Sequence, residues 1–392
     1  GLLGARPGLL GAPGLLARQR GCSARSAPGL LGARPGLLGA FLCAPCIARL
    51  TVLTASGVRT KCGQLVRPAD KRQRNAARSR ARCDGKRSAQ RIRVTLPRPI
   101  YPGTVSMITR RCAQRQCLLH PDPEMVNAFI YCLAVAAKRY QIDILDFTQL
   151  SNHLHDIIYD RFGNAPDFTQ YFHRLLACFV NKLRGREESV FASAQPDVVL
   201  LGTTEDLISR LVYVATNPIK HGLVATVDEW PGASGHRALL EDRTIHATRP
   251  KHFFSSDGDL PEEVTLRVGI PEELGDSGEI LAALKQRVED YERTMAAERK
   301  RQNRRVLGRA AILRQHWSYV PSSKPQRTPR RRFASVCRLT LKKLLDRHAD
   351  FLVAHRTARL ALFKGSPIPF PFGTYWLRRY VDVPVQTAVF PS

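Results

Sequence analysis

The chain has 392 residues, and its 61 Lys+Arg against 33 Asp+Glu give a formal charge of +28 at pH 7. That length has room for two domains of ordinary size. The charge disfavours a cationic partner and points to a polyphosphate, because each neutralised phosphate releases condensed counterions.

The charge is unevenly spread. Residues 1–93 carry 19 Lys+Arg against 2 Asp+Glu, residues 94–270 carry 18 against 20, and residues 271–392 carry 24 against 11. A nearly neutral middle therefore lies between two basic flanks. Arg outnumbers Lys 48 to 13, which a GC-rich gene would also produce without selection for binding. Of the ten cysteines, only Cys43-Ala-Pro-Cys46 has ligand-like spacing, and a closed zinc site would want a second such pair. Free thiols in a reducing compartment are expected. The most apolar run, "FLCAPCIARLTVLTA" (41–55), is short and contains Arg49, so no membrane span is predicted. Without the charged-then-apolar layout of a signal peptide, a cytoplasmic protein is expected.

Taken in order, the chain opens on a repeat: "GLLGARPGLLGA" fills residues 1–12 and recurs unchanged at 29–40. Residues 1–60 are read as low-complexity and disordered. Residues 61–93, with 12 basic and 2 acidic side chains, are read as a basic arm. Order is expected from residue 94. "TVSMITRR" (104–111) reads as a strand after a Pro-Gly turn. Asp122-Pro123-Glu124 supplies an N-cap, a first-turn proline and a first-turn carboxylate. The helix it opens runs to Tyr140, with Val126, Phe129, Ile130, Leu133, Ala137 and Tyr140 as its stripe. "IDILDFTQL" (142–150) and "NHLHDIIYD" (152–160) read as two strands around Ser151-Asn152. Pro166-Asp167 is expected to cap a second helix with Phe168, Phe172, Leu175, Leu176, Phe179 and Val180 buried. After a strand at 197–201, Thr203 and Asp206 form a capping box for a third helix.

Strand, helix, strand, strand, helix, strand is the order of a split βαβ, ferredoxin-like α+β sandwich: an antiparallel sheet with helices on one face. The third helix is an addition to it. Residues 236–276 read as a connecting region. Residues 277–392 read as a mainly helical, basic accessory region, with helices at 277–305 and about 336–358 and an aromatic tail, "IPFPFGTYWLRRY" (368–380).

Two groups of residues could carry chemistry. His153 and His155 flank Leu154 in a predicted strand, so the two-residue period puts both imidazoles on one face. Two nitrogen donors so placed suit a divalent cation, with positions left open for water or phosphate. In the third helix, Leu207, Ile208, Leu211, Val214 and Ala215 define one buried stripe, and at 100° per residue Tyr213 falls well outside it. A tyrosine is more often core, but this phase argues otherwise. Asn217, four residues on, neighbours Tyr213 on a continuous helix, while Pro218 disfavours helical geometry at Asn217. Lys220 and His221 follow the helix end, where they reach phosphate or cap carbonyls.

An HUH pair on a central strand, followed by one helical tyrosine and Asn-Pro-x-Lys-x-Gly, resembles the single-tyrosine HUH transposases, most of all the REP-associated tyrosine transposases. The matching segments are "RPIYPGTVSMITRR" (98–111), "SNHLHDII" (151–158), "NKLRGREESVF" (181–191) and "LVYVATNPIKHGLVATVDEWPG" (211–232). Together they place an HUH tyrosine transposase domain at 94–235. The chain departs from the family pattern at Leu150-Ser151 and at Asp156, where the family has Met-Pro and an apolar residue.

The resemblance implies a single-stranded DNA endonuclease and strand transferase. Tyr213 would be the nucleophile that forms a 5′-phosphotyrosine. His153, His155 and Asn217 would be ligands to Mg2+ or Mn2+. Lys220, His221, Arg110, Arg111, Lys182 and Arg184 would be DNA contacts. The expected partner is single-stranded DNA with hairpin or inverted-repeat ends. The alternative is a non-catalytic nucleic-acid-binding protein, decayed or domesticated, on the same fold. A metal hydrolase acting through water would need more carboxylates than Asp146 and Asp156 offer beside Gln149, and Asp156 alternates onto the opposite sheet face.

Overall fold

The structure is a computed structural model that describes residues 96–251, 258–323 and 331–387. The low-complexity stretch 1–60 and the basic arm 61–93 lie outside the described residues.

The six elements expected of the sandwich form in the expected order: β1 (Thr104–Arg111), α1 (Pro123–Tyr140), β2 (Ile142–Leu150), β3 (His153–Asp160, one residue shorter than read), α2 (Ala165–Arg184, with Pro166-Asp167 inside its first turn) and β4 (Asp197–Leu201). β3 lies antiparallel between β1 and β2, and β4 lies antiparallel on the other side of β1. The order β2-β3-β1-β4 is that of a split βαβ sheet. The helix signals act largely as read. The Asp122 side chain accepts from the Met125 amide at 2.9 Å, and Gln141 closes α1 in the left-handed region at φ 54°. The second cap differs. Asn164 makes no side-chain cap; instead the Asp160 carboxylate, at the end of β3, accepts from the amides of Gly163, Asn164 and Ala165 at 2.8 Å each. A carboxylate meeting the positive end of a helix dipole welds strand to helix there.

The two sandwich helices cover one face of the sheet and the added third helix covers the other. Phe147 of β2 packs tilted against Phe129 of α1, and Phe129 meets Phe172 of α2 edge-on. The next residue, Thr148, points the other way and donates from Oγ1 to the Val214 carbonyl of α3 (Thr204–Ala215) at 2.9 Å. Alternation along one strand thus assigns α1 and α2 to one face and α3 to the opposite one. Thr203 caps α3 as expected, accepting from the Asp206 amide at 3.2 Å.

Residues beyond 235 contribute more than a connection. After α5 (His236–Leu240), β5 (Ile245–Thr248) and β6 (Glu263–Leu266) pair as a hairpin that rests on α1, where Asn127 exchanges hydrogen bonds with Thr248 at 2.8 and 3.0 Å. The outer edge of β2 is covered by the backbone near Ser234 and Val268. Gly232 is required there, because a Cβ would fall 2.5 Å from the Trp230 ring and 2.8 Å from the Gln149 carbonyl. The long charged helix α6 (Ser277–Arg301) packs on α3 through Arg287, whose guanidinium bonds both Glu205 oxygens at 2.6 and 2.9 Å. The short α7 (Arg309–Arg314) follows. The region read as mainly helical also gives the sheet a fifth strand, β7 (Phe333–Ala334), parallel to β4. It continues as α8 (Arg338–Phe363) and α9 (Trp376–Val381). Two residues are too short for periodicity to register as a strand. The Asp206 carboxylate accepts from the Val336 amide at 2.7 Å, tying this segment to the first turn of α3.

Candidate active site

The face of β3 that looks toward α3 carries His153 and His155, their ring centroids 4.9 Å apart and perpendicular. Each ring is held by its Nδ1. His153 Nδ1 lies 2.7 Å from Asn152 Oδ1, and His155 Nδ1 lies 2.8 Å from Thr109 Oγ1, in the register that pairs Thr109 with His155. A ring that donates from Nδ1 keeps its Nε2 lone pair. Burial, then the neighbouring charges of His221 and Arg111, push His153 down to about 3. Burial, then His153, His221, Arg111 and Lys220, hold His155 well below the usual imidazole range. Both rings are neutral at physiological pH and offer lone pairs.

Across from them, α3 ends at Ala215 and Thr216 breaks the helix at φ −87°, ψ 2°. The Thr216 hydroxyl donates back to the Val212 carbonyl at 2.7 Å. Asn217 opens a new four-residue turn, α4 (Asn217–Lys220), with Pro218 in its first turn. The proline therefore restarts a helix rather than straining one, since its missing N–H falls where no partner is needed. The break turns the fully buried Asn217 toward β3, with its Nδ2 3.3 Å from His155 Nε2. Gly222 follows at φ +67°, a left-handed turn that brings the chain back.

Tyr213 is half-buried, and its ring stands 5.4 Å from that of His155 at 77°. Lys220 Nζ lies 4.7 Å over the tyrosine ring, and the Arg210 guanidinium lies 5.9 Å from it. His221 stands 5.9 Å from His153, ring to ring. Its basicity is lowered by burial and by the charges of Lys220 and Arg111. Seven of the residues singled out from sequence thus converge: His153, His155, Tyr213, Asn217, Lys220, His221 and Arg111, the last paired in register with His153.

Arg110, Lys182 and Arg184 do not reach this cluster. Arg110 alternates to the other face of β1, where its guanidinium covers the Phe191 ring at 5.2 Å and bonds the Ala194 carbonyl. Arg184 is engaged by the Asp122 carboxylate and the His120 carbonyl, and Lys182 is exposed on α2, the helix of that same face. All three lie inside segments that carry the family resemblance, and membership of such a segment does not report which face a side chain takes. Sequence reasoning also missed Thr109, Asn152 and Arg210. Thr109 was findable, since it alternates with Arg110 and shares the histidines' face.

The donor set fits a divalent cation. Asn217 Oδ1 is buried with no hydrogen-bond partner, on the side chain whose Nδ2 lies 3.3 Å from His155 Nε2. Among the described residues no group of three or more His, Cys, Asp and Glu is placed to hold a metal, so the third protein ligand would be this amide oxygen. Two nitrogens and one neutral oxygen leave the ion its full charge and open positions. No helix among the described residues is long and apolar enough to cross a membrane.

Comparison with known proteins gives similarity to transposases. A REP-associated tyrosine transposase bound to a REP hairpin matches with a TM-score of 0.33 and 16% identity, covering 43% of this chain and 93% of that one. A candidate transposase from Deinococcus radiodurans R1 matches with a TM-score of 0.23 and 11% identity, covering 32% and 97%. No family model and no curated protein sequence matches the chain.

Proposed function

We propose that the protein nicks and rejoins single-stranded DNA through Tyr213. The observation that carries this reading is the convergence of an off-stripe tyrosine, two neutral histidines and an unpartnered buried amide oxygen from β3, α3 and α4 on one sheet face. The phenol oxygen attacks the phosphorus of a phosphodiester. The bond to the 3′-oxygen breaks, a 5′-phosphotyrosine forms, and the proton lost by the phenol is balanced by one gained by the departing 3′-hydroxyl. One P–O bond replaces another, so rejoining is the reverse reaction and needs no nucleotide.

Each residue has a part. Lys220 and Arg111 attract the phosphate and offset the charge that develops on it. Thr109 and Asn152 fix the ring orientations of His155 and His153. Those two histidines and Asn217 would hold Mg2+ or Mn2+, which when bound polarises the phosphate oxygens. Hairpin or inverted-repeat ends are the proposed substrate, because a folded end presents an unpaired strand beside a duplex that can fix the register.

The test is incubation of the full chain with a labelled hairpin oligonucleotide and Mn2+, followed by denaturing electrophoresis. A covalent adduct in the wild type that vanishes in Tyr213→Phe and in chelator supports the reading. Wild type without adduct, or Tyr213→Phe with as much, overturns it and leaves a nucleic-acid-binding protein without catalysis.

A further inference from the structure

The stretch from Arg331 to Thr387 holds 11 Lys+Arg against 3 Asp. Within it, α9 is fastened on one side only. Leu377 packs with Ala358, Phe370 and Val383, Tyr375 Oη donates to Asp167 Oδ2 at 2.6 Å, and Arg379 Nε lies 3.8 Å from the same carboxylate. The outer side carries Trp376 and Tyr380, one helical turn apart. Their rings lie 5.5 Å apart and 10° from parallel, yet they are 47% and 65% exposed. Arg378 between them in sequence is exposed, and no described residue hydrogen-bonds or ion-pairs with it.

Two large rings stacked on each other and left in water form an apolar surface that a monomer ordinarily hides. Flanked by the exposed Arg378 guanidinium, such a surface matches the chemistry of unpaired bases, which stack on aromatic rings while their phosphates meet guanidinium groups. Asp167, to which α9 is tied, lies in the first turn of α2, just past Asp160. His153 begins β3 and Asp160 ends it, so the two places are separated by the length of that strand, roughly 20 Å at about 3.3 Å per residue.

We propose that Trp376, Tyr380 and Arg378 form a second contact for single-stranded nucleic acid, at the end of the sheet away from Tyr213. It extends the proposed function by adding a strand contact outside the tyrosine site. Its test reads binding alone, so loss of nicking and loss of this contact remain distinguishable.

The experiment uses full-length protein carrying Tyr213→Phe and measures fluorescence anisotropy with dT24, U24 and a 24-base-pair duplex at fixed salt. Trp376→Ala/Tyr380→Ala should weaken binding of an unpaired 24-mer by about tenfold per ring removed and leave duplex affinity unchanged. The dT24 and U24 arms tell whether DNA, RNA or both are taken. Trp376→Phe, which keeps a stacking ring, should retain affinity while abolishing the tryptophan quenching that dT24 produces in the parent. Arg378→Gln should reduce the salt dependence of binding. Unchanged affinity of the double variant for both dT24 and U24, with circular dichroism showing the parent fold, overturns the proposal. So does an equal loss for duplex and single strand, or a loss of self-association in place of a loss of nucleic-acid binding.

Discussion

On one face of β3, His153 and His155 look toward α3 and α4; on the other, Leu154 and Asp156 look toward α1 and α2. Both faces bury polar groups that lack a partner. On the first, Asn217 Oδ1 is unpartnered, but the same amide meets the His155 imidazole through Nδ2, and that imidazole stands 5.4 Å from the Tyr213 ring. On the second, both Asp156 oxygens are unpartnered, opposite Phe147 in register, and burial pushes that carboxyl up to about 8. The difference teaches that an unsatisfied buried polar atom reports function only when its surroundings could complete a ligand set. In an apolar layer it reports a cost.

Removing a side chain from each face should therefore have opposite consequences. The largest effect is expected from His153→Ala, which should slow single-turnover adduct formation by about 100- to 1000-fold while circular dichroism still shows the parent fold. A rate within threefold of wild type would remove the histidines from the chemistry. Asp156→Val should act the other way and stabilise the fold by about 2 to 3 kcal/mol, visible as a rise in denaturant midpoint, with adduct formation retained. A destabilised variant would show that the carboxyl has a partner after all.

Asp122 sharpens the contrast, being an acid whose burial is compensated. Burial alone would raise its carboxyl, but hydrogen bonds from His120, Arg184 and the Met125 amide hold it at about 2. Because the folded value lies below the unfolded one, its contribution is present above about pH 4 and is lost as pH falls toward 2. Urea melts across that window should show on the order of 2 kcal/mol less acid sensitivity in Asp122→Asn than in wild type. The smallest effect is expected from Thr148→Val, which cuts the single tether from the sheet to the Val214 carbonyl and should cost about 1 kcal/mol. An adduct yield that falls further than stability would show that the tether positions Tyr213.

Much of this was legible in the sequence, for local reasons. The Asp122 and Thr203 caps are decided by neighbouring residues. The two-residue period of "HLH" and the helical phase of Tyr213 are decided by geometry within one element. What lay beyond reach was the pairing of elements. Phase puts Tyr213 off the buried stripe of α3, but which sheet face α3 covers depends on Thr148 and Val214, 66 residues apart. The Asp160 cap, the outward turn of Arg110 and the two-residue β7 are likewise long-range. The turn of Asn217 lay between these cases: Pro218 signalled a break, and only the tertiary contact with His155 gave the break a direction.

The bond from Asp206 to Val336 has a consequence in time. The two residues are 130 apart in the chain, and at about 5 to 20 residues per second of synthesis the second follows the first by roughly 7 to 26 s. A nascent chain can therefore assemble β1 to β4 and present Tyr213 while the anchor for the first turn of its helix is still inside the ribosome.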